Sequence, residues 1–275
     1  MASILALLSA VLWGSSDFEG GRLSKRYPAI SVLGSTQLIS LIFGIALVIA
    51  VGETQVTAKV FFAGAAAGLF GYLGLVCLYA GLSTGKMGVV SPISSLSVLI
   101  PMSVALIGGE TMSTLTAIGC ALAIIGGFLT SGPEFSNGIS LKPLLLAIGA
   151  AFGFGSALTF LAIGASEAPI LTMVCMRIAT AFVTIGIAIK KRGFGGLGRK
   201  NLPSLIFIGV ADFAANATLG LAVNIGPVAV SMVLGALYPV FTVLLAYFIL
   251  HERLHKVQYV GGIAAVAGVA LISAF

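Results

Sequence analysis

The chain has 275 residues, of which 59% are hydrophobic and only 8% charged, and its mean hydropathy is +1.17. A soluble domain needs roughly 25% charged residues to cover its surface, so the outer surface here must face lipid, which excludes the two soluble domains that length alone suggests. The net charge of +6 comes from bases gathered in short connecting segments, a pattern of membrane loops and not the continuous basic face of a nucleic-acid binder.

A helix crossing about 30 Å of hydrocarbon needs roughly 20 apolar residues. Polar and Gly/Pro punctuation divides the sequence into ten such segments, 2–21, 29–51, 59–81, 87–108, 113–130, 141–163, 169–189, 202–223, 227–250 and 256–274. The expected fold is therefore all-α, a polytopic membrane protein with short connections. The first segment lacks a basic n-region and a clear cleavage site, so no cleavable signal is expected. It carries Trp13, Asp17 and Glu19; residues 13 and 17 are four apart and share a helical face. An aromatic wall beside an anion suits a cationic or zwitterionic ligand, the alternative being a helix end whose acids pair with Arg22 or Lys25. Gly64 and Gly68 in the third segment, and Gly149 and Gly153 in the sixth, match the small-xxx-small pattern of closely packed helices. Tyr72, also in the third segment, is placed among the candidate substrate-binding residues.

The fourth segment contains Ser91-Pro92, Ser94, Ser95, Ser97 and Pro101. Two prolines free backbone carbonyls, which is tolerated where hydroxyls, neighbouring helices or cavity water satisfy them. A bent, hydroxyl-rich helix beside a cavity follows, with Ser91 and Ser94 as candidate wall residues; serines that merely smooth close helix contacts are the plain alternative. Arg177 lies in the seventh segment and Asp212 in the eighth, with Asn216 one turn later on the same face. Ionisable groups inside a membrane are expensive unless paired or hydrated. Arg177 can bind a substrate carboxylate bidentately, and Asp212 can hold an ammonium group or a proton; alternatively the two neutralise each other. Tyr238-Pro239 in the ninth segment occupies a place related to the fourth-segment prolines, so two mid-membrane kinks are expected. Cys77, Cys120 and Cys175 lie in apolar runs and suggest no disulfide framework.

Bases divide twelve to one between the two sets of alternate loops, with Lys59 alone on the poorer side. Short cytoplasmic loops retain positive charge, which puts both termini outside the cytoplasm. An internal repeat is also visible. The stretch Glu110–Gly119 lines up with Glu252–Gly261 at a spacing of 142, with Gly126 and Gly268 in the same register, and Trp13-Gly14 lines up with Phe152-Gly153 at 139. The chain reads as five helices twice, 1–135 and 136–275. An odd number of helices per unit forces the halves into opposite orientations, as in many secondary transporters.

Ala10-Val-Leu-Trp13-Gly14-Ser15, Arg177, Tyr238-Pro239, and His251-Glu252-Arg253-Leu254 followed by Gly261 and Gly268 together resemble the EamA-type branch of the drug/metabolite transporter superfamily, along essentially the whole chain. The resemblance implies ten helices in two halves, a central cavity, residence in the inner (plasma) membrane, and export or exchange of amino acids and other metabolites by alternating access. Gln37 stands where many members have an arginine, and Ser97 aligns with Pro239. A small-molecule substrate, the bilayer and protons are the expected partners; no cofactor, metal or nucleic acid is, and oligomeric state is left open.

Two other classes compete. His251-Glu-Arg-Leu-His255 is a literal H-E-x-x-H, the zinc-protease signature. That chemistry needs both histidines on one helical turn and a third ligand, whereas the string falls between the last two segments and residues 256–275 offer no Asp, Glu, His or Cys. The other class is a non-transporting receptor or assembly component.

Overall fold

In hydrocarbon every backbone N–H and C=O must find its partner within the segment, which leaves the helix as the local solution for apolar runs of this length. The computed structural model describes all residues except 54, 85–86, 133–140, 192–196, 252–253 and 275. The described residues form the α-helices α1 Ala2–Ser24, α2 Ala29–Val51, α3 Ala58–Thr84, α4 Met87–Ser95, α5 Leu99–Ile107, α6 Thr114–Thr130, α7 Leu141–Ala165, α8 Pro169–Lys191, α9 Leu202–Ile225, α10 Val228–Gly235, α11 Tyr238–Leu250 and α12 Lys256–Ala274. Seven stretches among the described residues are long and apolar enough to cross a membrane. With α1 and the shorter apolar stretches Pro92–Ile107 and Thr114–Thr130, they reproduce the ten expected passages. The exterior carries exposed Phe62, Phe182, Phe248, Ile263 and Val266, as lipid contact requires.

Two passages are broken near their middle. Between α4 and α5 the chain tightens into a 3-10 turn at Leu96–Val98, between Pro92 and Pro101. Between α10 and α11 it turns at Ala236 and Leu237, just before Pro239. Each proline removes a donor from the helical ladder. In the first break two hydroxyls bond back to their own helix: Ser94 Oγ donates to the Val90 carbonyl at 2.8 Å and Ser95 Oγ to that of Pro92 at 2.7 Å. The expected pair of mid-membrane kinks is present.

Packing follows a two-fold pseudo-symmetry. α3 packs on α7 as α9 packs on α1, α3 on α8 as α9 on α2, and the broken helix of each half on the first helix of the other. α2–α8 and α6–α12 pair across the axis itself. Glycine contacts fix the register. Gly14 lies so close to the Tyr238 carbonyl and Phe241 that an added Cβ would meet them at 2.8 and 2.6 Å; Gly155, 141 residues later, meets the Ser97 carbonyl and Ile100, the positions 141 before Tyr238 and Phe241. The alignment of Gly14 with Gly153 is therefore two residues out, and Ser97 corresponds to Tyr238 rather than Pro239. Gly153 instead abuts Gly74 Cα on α3, while Gly64 and Gly68 press on the carbonyls of Thr172 and Met176 on α8. Both glycine pairs thus serve contacts between the halves.

At the face where both ends of the chain emerge, carboxylates tie the halves together. Glu53 accepts from the backbone N–H of Ile170 and Leu171 at the start of α8, each at 3.1 Å. Glu110 accepts from Val228 and Ala229 at the start of α10, at 2.8 and 2.9 Å. Both satisfy orphan donors at the positive end of a helix. Nearby, Thr57 donates to Glu167 at 2.6 Å and Lys59 pairs with it at 3.2 Å. That hydroxyl first, and then the ammonium, hold the Glu167 carboxyl below its ordinary range.

Candidate functional site

The second half contributes a buried cation to the middle of the bundle. Arg177, on α8, is only 3% exposed, and its guanidinium donates to Asp212 Oδ2 on α9 at 2.5 Å and to Gln37 Oε1 on α2 at 2.7 Å. A charge at this depth is tolerated only when paired and hydrogen-bonded. Gln37 and Arg177 are 140 residues apart, and the equivalent glycines Gly68 and Gly209 touch Met176 and Ala179 in one half and Thr36 and Ile39 in the other, partners that keep the 140 spacing. Gln37 is thus the repeat counterpart of Arg177, meeting it on the pseudo-axis. Thr180, one turn below Arg177, also donates to Gln37 Oε1 at 3.1 Å. Arg177 Nε is buried without a partner among the described residues.

Asp212 is held on both oxygens. Trp13 Nε1 on α1 donates to Oδ1 at 3.2 Å, and Asn216 Nδ2 reaches the Asp212 carbonyl at 2.8 Å and Oδ1 at 3.4 Å. Tyr238, at the start of α11 beyond the break, packs edge-on against the Trp13 ring with centroids 6.2 Å apart. Five elements, α1, α2, α8, α9 and α11, thus converge on one cluster.

Asp17 lies one turn beyond Trp13, within electrostatic reach of Asp212 and Tyr238. Its side chain is exposed, and it accepts no hydrogen bond among the described residues. Glu19 differs. It pairs with Arg22 at 3.2 Å and accepts from Ser204 at 2.7 Å, as the helix-end alternative expects. The cluster therefore holds one compensated ion pair and one open carboxyl group beside two aromatic rings.

Trp13, Arg177, Asp212, Asn216 and Tyr238 are brought together, with Asp17 beside them. Tyr72 is not: it sits half-buried on α3, with no described hydrogen bond to the cluster. Ser94 spends its proton on its own helix. The side chain of Ser91 lies outside the described residues. Gln37 and Thr180 belong to the network although polarity alone did not single them out; a 140-residue offset between Gln37 and Arg177 was the available signal.

The H-E-x-x-H string does not form a zinc helix. His251 ends α11 in the left-handed region at φ 54°, and His255 precedes α12, so the histidines share no helical turn. Glu252 lies outside the described residues. No group of three or more His, Cys, Asp or Glu suited to a metal occurs among the described residues.

Ten passages in two oppositely oriented halves, closed around a buried charged cluster, define a multi-pass membrane protein of the two-half helical class. The EamA-like transporter family profile matches residues 1–132 and 141–274, and the chain belongs to that family of membrane transporters. Its members are transporters rather than enzymes. Among 29 matching chains of solved structures, one described as "Crystal structure of protein" superposes with a TM-score of 0.80 over 99% of this chain and 96% of its own, at 18% identity, a likeness of fold alone. No curated protein matches the chain.

Proposed function

We propose that the protein is a secondary transporter of small amine-bearing organic solutes, moved by alternating access between the halves 1–135 and 136–275. The carrying observation is the contrast within the cluster. Arg177 already has Asp212 and Gln37, whereas Asp17 is exposed and has no hydrogen-bond partner among the described residues, beside Trp13 and Tyr238. An ammonium group gains both a counter-charge and aromatic faces there. Trp13, Tyr238 and Asp17 are its contacts in this proposal; Arg177, Asp212 and Asn216 shape the wall. Ser91, Ser94 and Tyr72 are assigned to the path on either side. Amino acids and amphipathic amines are the first solutes to test.

The same carboxylate is the proposed proton site, so that proton and solute compete for Asp17 and a pH gradient drives exchange. With the basic loops in the cytoplasm of an inner (plasma) membrane, both termini lie outside. Counterflow into liposomes containing only this protein is the test, run with and without a pH gradient. Saturable uptake that Asp17→Asn removes supports the reading. Undiminished uptake by folded Asp17→Asn protein overturns it, and no uptake of any amine removes the substrate class.

A further inference from the structure

A second feature lies outside the central cluster, at the basic face. A cleft of about 370 Å³ opens between α1, α9 and α11, lined by Ser15, Phe18, Glu19, Arg22, Phe207 and Ile249 among others. Phe207 and Ile249 are 47% and 51% exposed, so the cleft opens on the lipid-facing surface. Its two ends differ in chemistry. The deep end is apolar. The outer end holds Arg22, half-exposed, with Nη1 donating to Glu19 and Glu19 anchored in turn by Ser204 at 2.7 Å. A guanidinium has five N–H donors, so this pairing leaves Arg22 able to donate outward.

Length and charge identify the occupant. Ser15 to Arg22 spans seven residues of helix, or about 10 Å, which falls within one leaflet of a core about 30 Å thick. Arg22 is in the last turn of α1, and Ser204 is in the first turn of α9. The polar end of the cleft therefore sits at headgroup level and the apolar end among acyl chains. The same two helix ends carry exposed Lys25, Arg26, Arg199 and Lys200, and among the described residues of those last turns the one acid is Glu19. We propose that this cleft is a binding site for one anionic phospholipid of the leaflet at the basic face, its phosphate on Arg22 and its first acyl segment between Phe18, Phe207 and Leu245.

The site is independent of the cation-binding role of Asp17. Glu19 fixes the Arg22 side chain in place, and Ser204 fixes Glu19, so an element of each half meets at the headgroup. The occupant consequently bridges α1 of the first half to α9 and α11 of the second.

Native mass spectrometry of the full chain in detergent, titrated with dioleoyl phosphatidylglycerol or dioleoyl phosphatidylcholine, tests this. The wild type should retain phosphatidylglycerol at least about tenfold more strongly than phosphatidylcholine, since a charged hydrogen bond is at stake. Arg22→Gln should erase that preference and Arg22→Lys restore part of it. Lys142→Gln, which removes an exposed base of the same face at the start of α7, should leave it unchanged. Leu245→Trp keeps the charge and fills the apolar end, so it should lower retention of both lipids and covers the case in which Arg22→Gln fails to fold. Equal retention of the two lipids by the wild type overturns the proposal. So does an Arg22→Gln protein that keeps the preference, or a loss as large with Lys142→Gln.

Discussion

The two halves of this molecule share a scaffold but not a decoration. In the 141-residue register set by Gly14 and Gly155, Trp13 corresponds to Phe154 and Asp17 to Leu158. Asp212 corresponds to Gly71, Asn216 to Leu75 and Tyr238 to Ser97; on the axis, Arg177 faces its own counterpart, Gln37. One of the two equivalent corners is thus polar and charged, and the other is almost wholly apolar. Alternating access asks for two conformations of nearly equal energy, which inverted halves supply. A defined ligand asks for one asymmetric site. In the proposed transport cycle the backbone would meet the first demand and the side chains of a single corner the second.

The comparison is broken most severely at Asp212. Asp212→Ala leaves Arg177 as an uncompensated buried charge, a loss of about 3–5 kcal/mol, seen as failure to recover monodisperse protein in detergent. Arg177→Met added to Asp212→Leu removes the buried ion pair from this corner and should restore folded protein, inactive in counterflow. Asp17→Asn should leave folding intact and weaken amine binding between about tenfold and a hundredfold, the span of one charged hydrogen bond; equilibrium binding by calorimetry checks it. Gln37→Leu strips the acceptor from Arg177 Nη1 and Thr180 Oγ1, and should cost about 1–3 kcal/mol in thermal unfolding. Glu110→Gln keeps the shape of the cap on α10 but removes its charge, for about 1 kcal/mol or less. The smallest effect is at Glu167. Because Thr57 and Lys59 lower its folded pKa, its contribution is full above the ordinary glutamate value of 4.5 and fades as pH falls through the depressed value. Glu167→Gln should accordingly narrow the difference in melting temperature between pH 6 and pH 3.

The fold was legible because lipid imposes a length and a polarity that composition cannot disguise: all ten passages lie within a few residues of their expected positions, and Pro92, Pro101 and Pro239 mark the breaks. The register was less so. Gly14 aligns with Gly153 by type alone, and only contact with Tyr238 and Ser97 shows that Gly155 is its counterpart. Within the site, Trp13, Asp17, Arg177 and Asp212 stand out because charge and indole are rare inside a bilayer. Gln37 stood out only as a departure from the family pattern and not as a site residue, because a neutral amide in an apolar helix gives no energetic alarm until its partner is known. The contacts of Glu53 and Glu110 were hidden for a similar reason. Their role is to cap helices of the opposite half, and a helix terminus 117 to 119 residues away is invisible to local pattern.

Trp13 is the sole tryptophan of the chain. Its indole N–H is committed to Asp212 and its edge meets Tyr238. Ultraviolet emission from the native protein excited beyond the tyrosine band therefore originates at the cluster and nowhere else. A shift in its colour or a change in quenching on adding a solute reports on this corner directly, with no label attached and no competing fluorophore removed. The wild-type sequence is already its own optical probe.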